Sequence, residues 1–522
     1  MNLENKHIEI KQILFYFQAI ANVGFFIVYL LNYRGGNFFV GYWAYGIITT
    51  TTVMLTSWDF YFSTFKPWNI LPLVGVQIFL LAYCYYQEYY SLDFNYFDTG
   101  FFSNSISNFK NGHGYYNSHA KVNALADHFT PSLLLLTPIY FFADSGLVLV
   151  FFKYVFYILS IFFIFLLTKD NEERKKIRYF IIYLLLINQG IVNFLGFEFQ
   201  SSNIIAFLVP LLFYLYEREK KLLLVCLIIF ILGLKETSVF LFSSLALYIL
   251  FEKKEVKKAL ILFSSSISFL FLYQYVIIPF VSDSGSTQVG IFDPFCCIAE
   301  KENFFFKILH ITYYNFIFDP AALLYSFPTL FSSFLGNRPG SFSVDFHYHD
   351  MFVYLFLVIL IIRISSKSGR FYFLDPANHV VSKFFFVVLF CYGLSFSKNS
   401  ILAFANLHHP TKEKTECIDK IKKFDCFYSS KKKFERYEIF SQDCFSFLLS
   451  HQFRINTLGS FDQLKSQKGP YFIVLSDFPT ARWPIEADFE PIKAYLKAES
   501  DAGNMKYYPE FFPLIVYSKD KF

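Results

Sequence analysis

The sequence predicts a mainly α-helical, polytopic transmembrane bundle of about 11–13 spans, carrying a small C-terminal α/β domain outside the membrane. Three observations predict it. Between residues 11 and 397 the chain is a near-continuous series of apolar, Phe-rich runs, with 74 Phe among 522 residues. Hydrophobic residues make up 55% and charged ones 17%, against roughly 25% charged in an ordinary soluble domain, and mean hydropathy is +0.40. The charges sit in short loops of alternating character: every second loop is rich in Lys and Arg, and those between carry isolated Asp, Glu, Lys and His. A single soluble core cannot hide this much apolar surface. The net charge of +5 gives no ground for nucleic acid as a partner.

Residues 1–11 are polar, and the first apolar run is long and lacks a small-residue cleavage site, so it reads as a retained anchor. Runs at 11–33, 38–58 and 69–90 each approach the ~20 residues that cross a hydrocarbon core about 30 Å thick. The Asn- and Gly-rich stretch 91–130 carries no span. Runs at 145–168, 178–197, 203–216, 222–234, 237–251 and 259–281 follow. After a second polar loop, 304–318 and 319–336 read as a shorter or re-entrant pair, and 351–364 and 380–397 complete a membrane domain of residues 1–406. Several runs are shorter than a span. Short helices are tolerated at membrane depth where they line a protein cavity.

The basic connections are residues 169–178, 217–221, 252–258 and 363–370. By the positive-inside rule they are cytoplasmic. The N-terminus is then cytoplasmic, the large loops 91–144 and 282–303 lie outside, and so does the tail. The tail, 407–522, is charged. Its short apolar runs at 471–475 and 512–517 read as buried strands and 443–451 as a helix, giving a small extracytoplasmic α/β domain. Cys84, Cys226 and Cys391 read as small hydrophobes. In an oxidising compartment a Cys417–Cys426 disulfide is one option, and no metal-ligand spacing stands out.

The non-basic loops hold the residues able to do chemistry. Asp98 sits in Phe94-Asn-Tyr-Phe-Asp-Thr-Gly, His128 in Asp127-His-Phe-Thr-Pro131, and Glu198 in Gly196-Phe-Glu-Phe-Gln200. Lys235 and Glu236 interrupt an apolar stretch, and His347 and His349 occupy Asp345-Phe-His-Tyr-His-Asp350. All fall on one expected face, and ionisable residues at a membrane are costly enough to be functional candidates. Each also has a plainer reading: an Asx turn before Gly100 for Asp98, a helix cap for His128, a solvated residue for Glu198, an ion pair for Lys235 and Glu236, surface histidines for His347 and His349.

These fragments, in this order over residues 94–364 with a weaker echo at 439–477, resemble a family of predicted prokaryotic membrane proteins of unknown function. That family is grouped with the GT-C superfamily of membrane glycosyltransferases. Where relatives show Tyr-Asp-Leu-Gly, this chain has Phe97-Asp98-Thr99-Gly100, keeping the carboxylate. Where they show Asp-Phe-His-Pro, it has Phe197-Glu198-Phe199-Gln200, without the His, and Thr237 stands where relatives often have an Asp. The resemblance implies a GT-C-like bundle in the inner membrane of a prokaryote that transfers a sugar from a polyprenyl-phosphate donor to an extracytoplasmic glycan or protein acceptor. Asp98 would be the catalytic carboxylate, as base or as holder of a divalent cation. Lys235 would meet the leaving phosphate, with Glu236 orienting it, and His128, Glu198, His347 and His349 would bind substrate. A transporter and an inactive scaffold fit the same topology.

Overall fold

The computed structural model describes residues 71–92, 96–170, 198–281, 296–311, 320–335, 350–364, 411–477, 484 and 486–520, with residues 182, 185, 191 and 195 as isolated points. The runs at 11–33, 38–58 and 380–397, most of 178–197, and the boundary at 406/407 lie outside the described residues.

The described chain is mainly helical with a sheet near its C-terminal end. Helix α1 (Leu71–Ser91) leads through a single π-type turn, Tyr96–Gly100, into α2 (Phe101–Lys110). The stretch 91–130, expected as a polar loop, is thus a folded cap. After α2 come a two-stranded hairpin, β1 (Tyr116–Asn117) and β2 (Val122–Asn123), and two single-turn helices, α3 (Ala124–Asp127) and α4 (Thr137–Tyr140). Asn side chains hold the cap together where water would otherwise be needed. The Asn108 amide donates to the Tyr116 carbonyl at 2.8 Å, and the Asn117 amide donates to the Phe101 carbonyl at 3.0 Å.

The bundle follows: α5 (Leu147–Thr168), α6 (Ser201–Glu217), α7 (Lys221–Leu232), α8 (Ser238–Phe251), α9 (Val256–Leu272, continued through a π-type turn, Tyr273–Ile277, to Val281), α10 (Ile298–Ile311), α11 (Pro320–Phe334) and α12 (Asp350–Ile364). Helix α10 begins inside the stretch 282–303 expected as an outer loop. Every residue of α12 from Met351 to Arg363 is buried. A helix apolar all round belongs in a core, and α12 is flanked by α6 and α11, while the Ser160 hydroxyl of α5 also bonds its Tyr354 hydroxyl.

Outward faces are apolar too. Leu222 is 78% exposed, Ile229 64% and Phe280 89%. Contiguous exposed apolar faces of this kind call for a lipid or protein cover. Among the described residues two helices, Leu147–Thr168 and Val256–Val281, are long and apolar enough to cross a bilayer, and five shorter apolar segments accompany them. At ~1.5 Å per residue, the 22-residue α5 measures about 33 Å, enough for a ~30 Å core.

Charged residues at the helix ends fix how the bundle is assembled. Glu252, just past α8, pairs with Arg363 of α12 and accepts from the Tyr325 hydroxyl of α11 at 2.7 Å. Glu217, ending α6, lies 3.7 Å from Lys253 and accepts from Tyr248 of α8 at 3.4 Å. The end of α6, the end of α8 and the end of α12 therefore meet. The starts of α6 and α8 point away from that junction.

The C-terminal part opens with α13 (Lys412–Ser429). It builds a five-stranded sheet, order β4-β3-β5-β7-β6, from β3 (Glu438–Ser441), β4 (Ile455–Thr457), β5 (Tyr471–Leu475), β6 (Lys506–Tyr507) and β7 (Ile515–Lys519). Strand β3 runs parallel to β4 and β5, while β7 is antiparallel to β5 and β6. Helices α14 (Asp443–Leu448), α15 (Phe461–Ser466) and α16 (Glu486–Asp501) complete it. Strand β5 matches expectation; β7 starts at Ile515 rather than 512, beyond Pro513, which has no amide to donate, and α14 stops at Leu448 rather than 451. The Cys417–Cys426 disulfide that the sequence left open is not formed, since both are free thiols. Nine residues apart on α13, their Cα atoms are separated by roughly 13 Å of helix rise, beyond the reach of a disulfide.

Candidate functional site

Two polar constellations form at the end of the bundle where α6 and α8 begin. The first is built on the π-type turn Tyr96–Gly100, which carries Asp98; such turns widen the backbone and recur at functional sites. Opposite it the chain enters α6. The Gln200 side-chain amide donates to Asp98 Oδ1 in close contact, and the Gln200 backbone amide donates to Asn203 Oδ1 at 3.1 Å, fixing the helix start. The Phe199 amide donates to Thr99 Oγ1 at 2.8 Å, and the Thr99 amide donates to Glu198 Oε2 at 3.3 Å. Glu198 is buried, not a solvated boundary residue. Next to Gln200, the hydroxyls of Ser201 and Ser202 are buried and have no hydrogen-bond partner among the described residues.

The second constellation joins α3 to the turn between α7 and α8. Gly233 makes it possible: its carbonyl accepts from the Ser132 amide at 2.8 Å, and a Cβ there would stand 2.2 Å from Ser132 Oγ. His128 Nδ1 is 3.0 Å from Glu236 Oε1, Glu236 Oε2 accepts from the Phe129 amide at 3.0 Å, and Asp127 lies 3.9 Å from His128 Nε2. Burial alone would lower the His128 pKa; the charges of Glu236 and Asp127 outweigh it and raise it above 6.5. Burial alone would raise Glu236, but the His128 charge and hydrogen bond hold it down at about 2. His128 and Glu236 thus form an ion pair. The Tyr273 hydroxyl, on the π-type turn of α9, donates to the Leu125 carbonyl at 3.0 Å, and Phe129 packs on the rings of Phe269 and Tyr273.

Lys235 stands apart within this group. It is 6% exposed, and among the described residues its ammonium has no hydrogen-bond or ion-pair partner. Glu236, expected to orient it, is committed to His128 and the Phe129 amide instead, because adjacent residues in a turn point different ways. Three residues on, the Ser238 hydroxyl is fully buried and also without a partner among the described residues.

Asp98 and Glu198 therefore come together in one constellation, and His128, Lys235 and Glu236 in the other. His347 and His349 lie outside the described residues. The sequence reading named Gln200 and Thr99 only as letters of their motifs, and it passed over Lys153. Lys153, on α5, is fully buried and donates to the Tyr85 hydroxyl at 2.6 Å and to the Leu195 carbonyl at 2.8 Å, three residues before Glu198. A lone Lys inside a 22-residue apolar run was the signal available for it. No three His, Cys, Asp or Glu among the described residues converge to hold a metal.

The C-terminal domain roofs the first constellation. Helix α14 packs on the π-type turn of Asp98, and Gly146 allows it: a Cβ there would lie 2.6 Å from the Phe447 ring and 3.2 Å from Thr99 Cγ2. Asn104 donates to the Ser450 carbonyl at 2.8 Å, the Thr457 amide donates to His119 Nδ1 at 3.3 Å, and His113 stacks on Phe453 at 4.0 Å.

Residues 88–421 match the model of a family described as "Predicted membrane protein (DUF2079)", and the chain belongs to that family. No curated protein and no solved structure matches.

Proposed function

We propose, taking membership of this family of membrane proteins as the premise, that the chain is a multi-pass membrane glycosyltransferase of GT-C type. It would transfer a sugar from a polyprenyl-phosphate donor to a glycan or protein acceptor on the extracytoplasmic side. One observation carries this reading. Lys235 is 6% exposed and its ammonium has no hydrogen-bond or ion-pair partner among the described residues, and three residues on the buried, unpartnered Ser238 hydroxyl stands at the first position of a 14-residue helix. A phosphate would satisfy both groups and meet the positive end of the helix dipole. The exposed apolar helix faces nearby supply the lipid setting that a polyprenyl chain needs.

In this mechanism Lys235 neutralises the leaving phosphate as the glycosidic C–O bond breaks. Asp98 takes the proton from the attacking acceptor hydroxyl, held for the task by the Gln200 amide. The His128–Glu236 pair fixes the turn from which Lys235 projects. Glu198 contributes by bonding the Thr99 amide and so setting the angle of Asp98.

A specific observation favours a second reading, a scaffold without activity: Asp98 and Glu198 both serve hydrogen bonds that also look structural. Mass spectrometry of envelope glycans and glycoproteins, in cells with the gene, without it, and with Asp98→Asn, separates the two. Loss of one glycan in both altered strains supports transfer. A glycan lost on deletion but undiminished in Asp98→Asn removes Asp98 from the reaction, and no change in either strain sinks the transferase.

A further inference from the structure

A groove of about 490 Å³ opens between the end of α1 and the start of α13. Tyr86 and Tyr90, one helical turn apart on α1, make one wall, with ring centroids 4.5 Å apart and planes tilted by 44°. Tyr86 leaves 54% of its surface exposed. The facing wall presents Lys412, Thr415, Glu416 and Asp419 of α13, whose spacing puts them on one side of that helix. Lys412 and Glu416 approach only to 3.9 Å and both are exposed. Such a pair is held weakly, which leaves both heads free to meet a ligand. None of these residues belongs to either constellation described above.

We propose that this groove binds carbohydrate: one or two rings of an uncharged sugar, free or as a glycolipid headgroup. A sugar ring has an apolar C–H face and a rim of hydroxyls, and the groove has the complement of each. The exposed face of Tyr86 receives the C–H side. Glu416 and Asp419 accept from ring hydroxyls in charge-assisted bonds, and the Thr415 hydroxyl both donates and accepts. One Lys against two carboxylates gives the lining a net charge of −1, which turns away phosphates and acidic sugars. The volume falls in the ordinary range of small-molecule sites, roughly 300–1,000 Å³. The proposal does not depend on sugar transfer, since binding alone is claimed.

The test uses the full chain in lipid nanodiscs, because alkyl-maltoside detergents carry a competing sugar. Saturation-transfer NMR would follow maltotetraose and chitotetraose as free probes, and a second arm would place a diglucosyl diacylglycerol in the disc. Saturable binding of a free tetrasaccharide identifies a soluble glycan as the source, and binding seen only in the second arm identifies a headgroup. In either case Tyr86→Ala and Glu416→Gln should weaken it about tenfold or more, while Tyr86→Phe retains it. Glu416 is exposed, so its variant tests the groove without threatening the fold. Absence of saturable binding in both arms, or binding equal in all variants, overturns the proposal and leaves Tyr86 and Tyr90 as interfacial tyrosines of the kind that line a membrane surface.

Discussion

His128 Nδ1 lies 3.0 Å from Glu236 Oε1, although 108 residues separate them in the chain. The contact ties the cap above the bundle to the turn between α7 and α8, and it sets the charge state of both groups. Glu236→Gln removes the charge that raises His128 and leaves the burial that lowers it. The His128 pKa should then fall below 6.5, read by NMR titration of ¹⁵N-labelled histidine. A His128 titration unmoved by the substitution would show that the pair does not form.

The same pair gives a pH window. Glu236, lowered to about 2 from 4.5, contributes stability that is present above about 4.5 and lost as pH falls toward 2. His128, raised above 6.5, contributes stability that is present below 6.5 and lost as pH rises through its folded value. The difference in melting temperature between the parent and Glu236→Gln should be greatest between about pH 4.5 and 6.5. A difference flat with pH would sink the assignment.

Lys235→Met should leave stability within about 1 kcal/mol of the parent, because the ammonium makes no hydrogen bond or ion pair among the described residues that the substitution would remove. It should also abolish any binding of phosphate-linked lipid. Thermal melts in nanodiscs and a binding assay with polyprenyl phosphate read the two effects together. A variant less stable than that would mean that Lys235 is structural.

Gly233→Ala should cost about 1–3 kcal/mol by overpacking, since the new Cβ would meet Ser132 Oγ. The double variant Gly233→Ala with Ser132→Gly should recover most of that loss. Chemical denaturation of the two variants checks it.

Acid should loosen the seat of the C-terminal domain. Burial and, behind it, Lys121 hold His119 down at about 4, and its Nδ1 accepts from the Thr457 amide. The unfolded imidazole binds its proton near 6.5, so stability falls as pH drops from about 6.5 to about 4 and levels off below. His119→Gln keeps an acceptor but cannot titrate, and its stability should change less over that range. Hydrogen exchange at Thr457 reports the contact directly.

Much of this architecture is legible in the residues, for reasons that differ by element. The Met351–Arg363 helix announces itself because a segment apolar on every side has one place to go. Bundle polarity can be read from Glu217, Glu252 and Arg363, since helix ends that carry charge gather where charge can be paired. The cap at 91–130 was illegible: its Asn and Gly residues look like loop, and only the folded chain pairs Asn108 with Asn104 and brings the Asn117 amide to the Phe101 carbonyl. Among the site residues, Asp98, His128 and Lys235 stood out as isolated charges. Gln200 did not, because an amide beside apolar residues has no signal until Asp98 is folded against it. The role of Glu236 was misjudged for a related reason: neighbours in sequence diverge in a turn, and the true partner came from far along the chain.

The seating of α14 over the turn that bears Asp98, allowed by Gly146, bears on traffic. With α14 packed on that turn, a reactant coming from the side of the sheet domain meets protein before it meets the carboxylate. Bulky water-borne partners would have to wait for the roof to tilt.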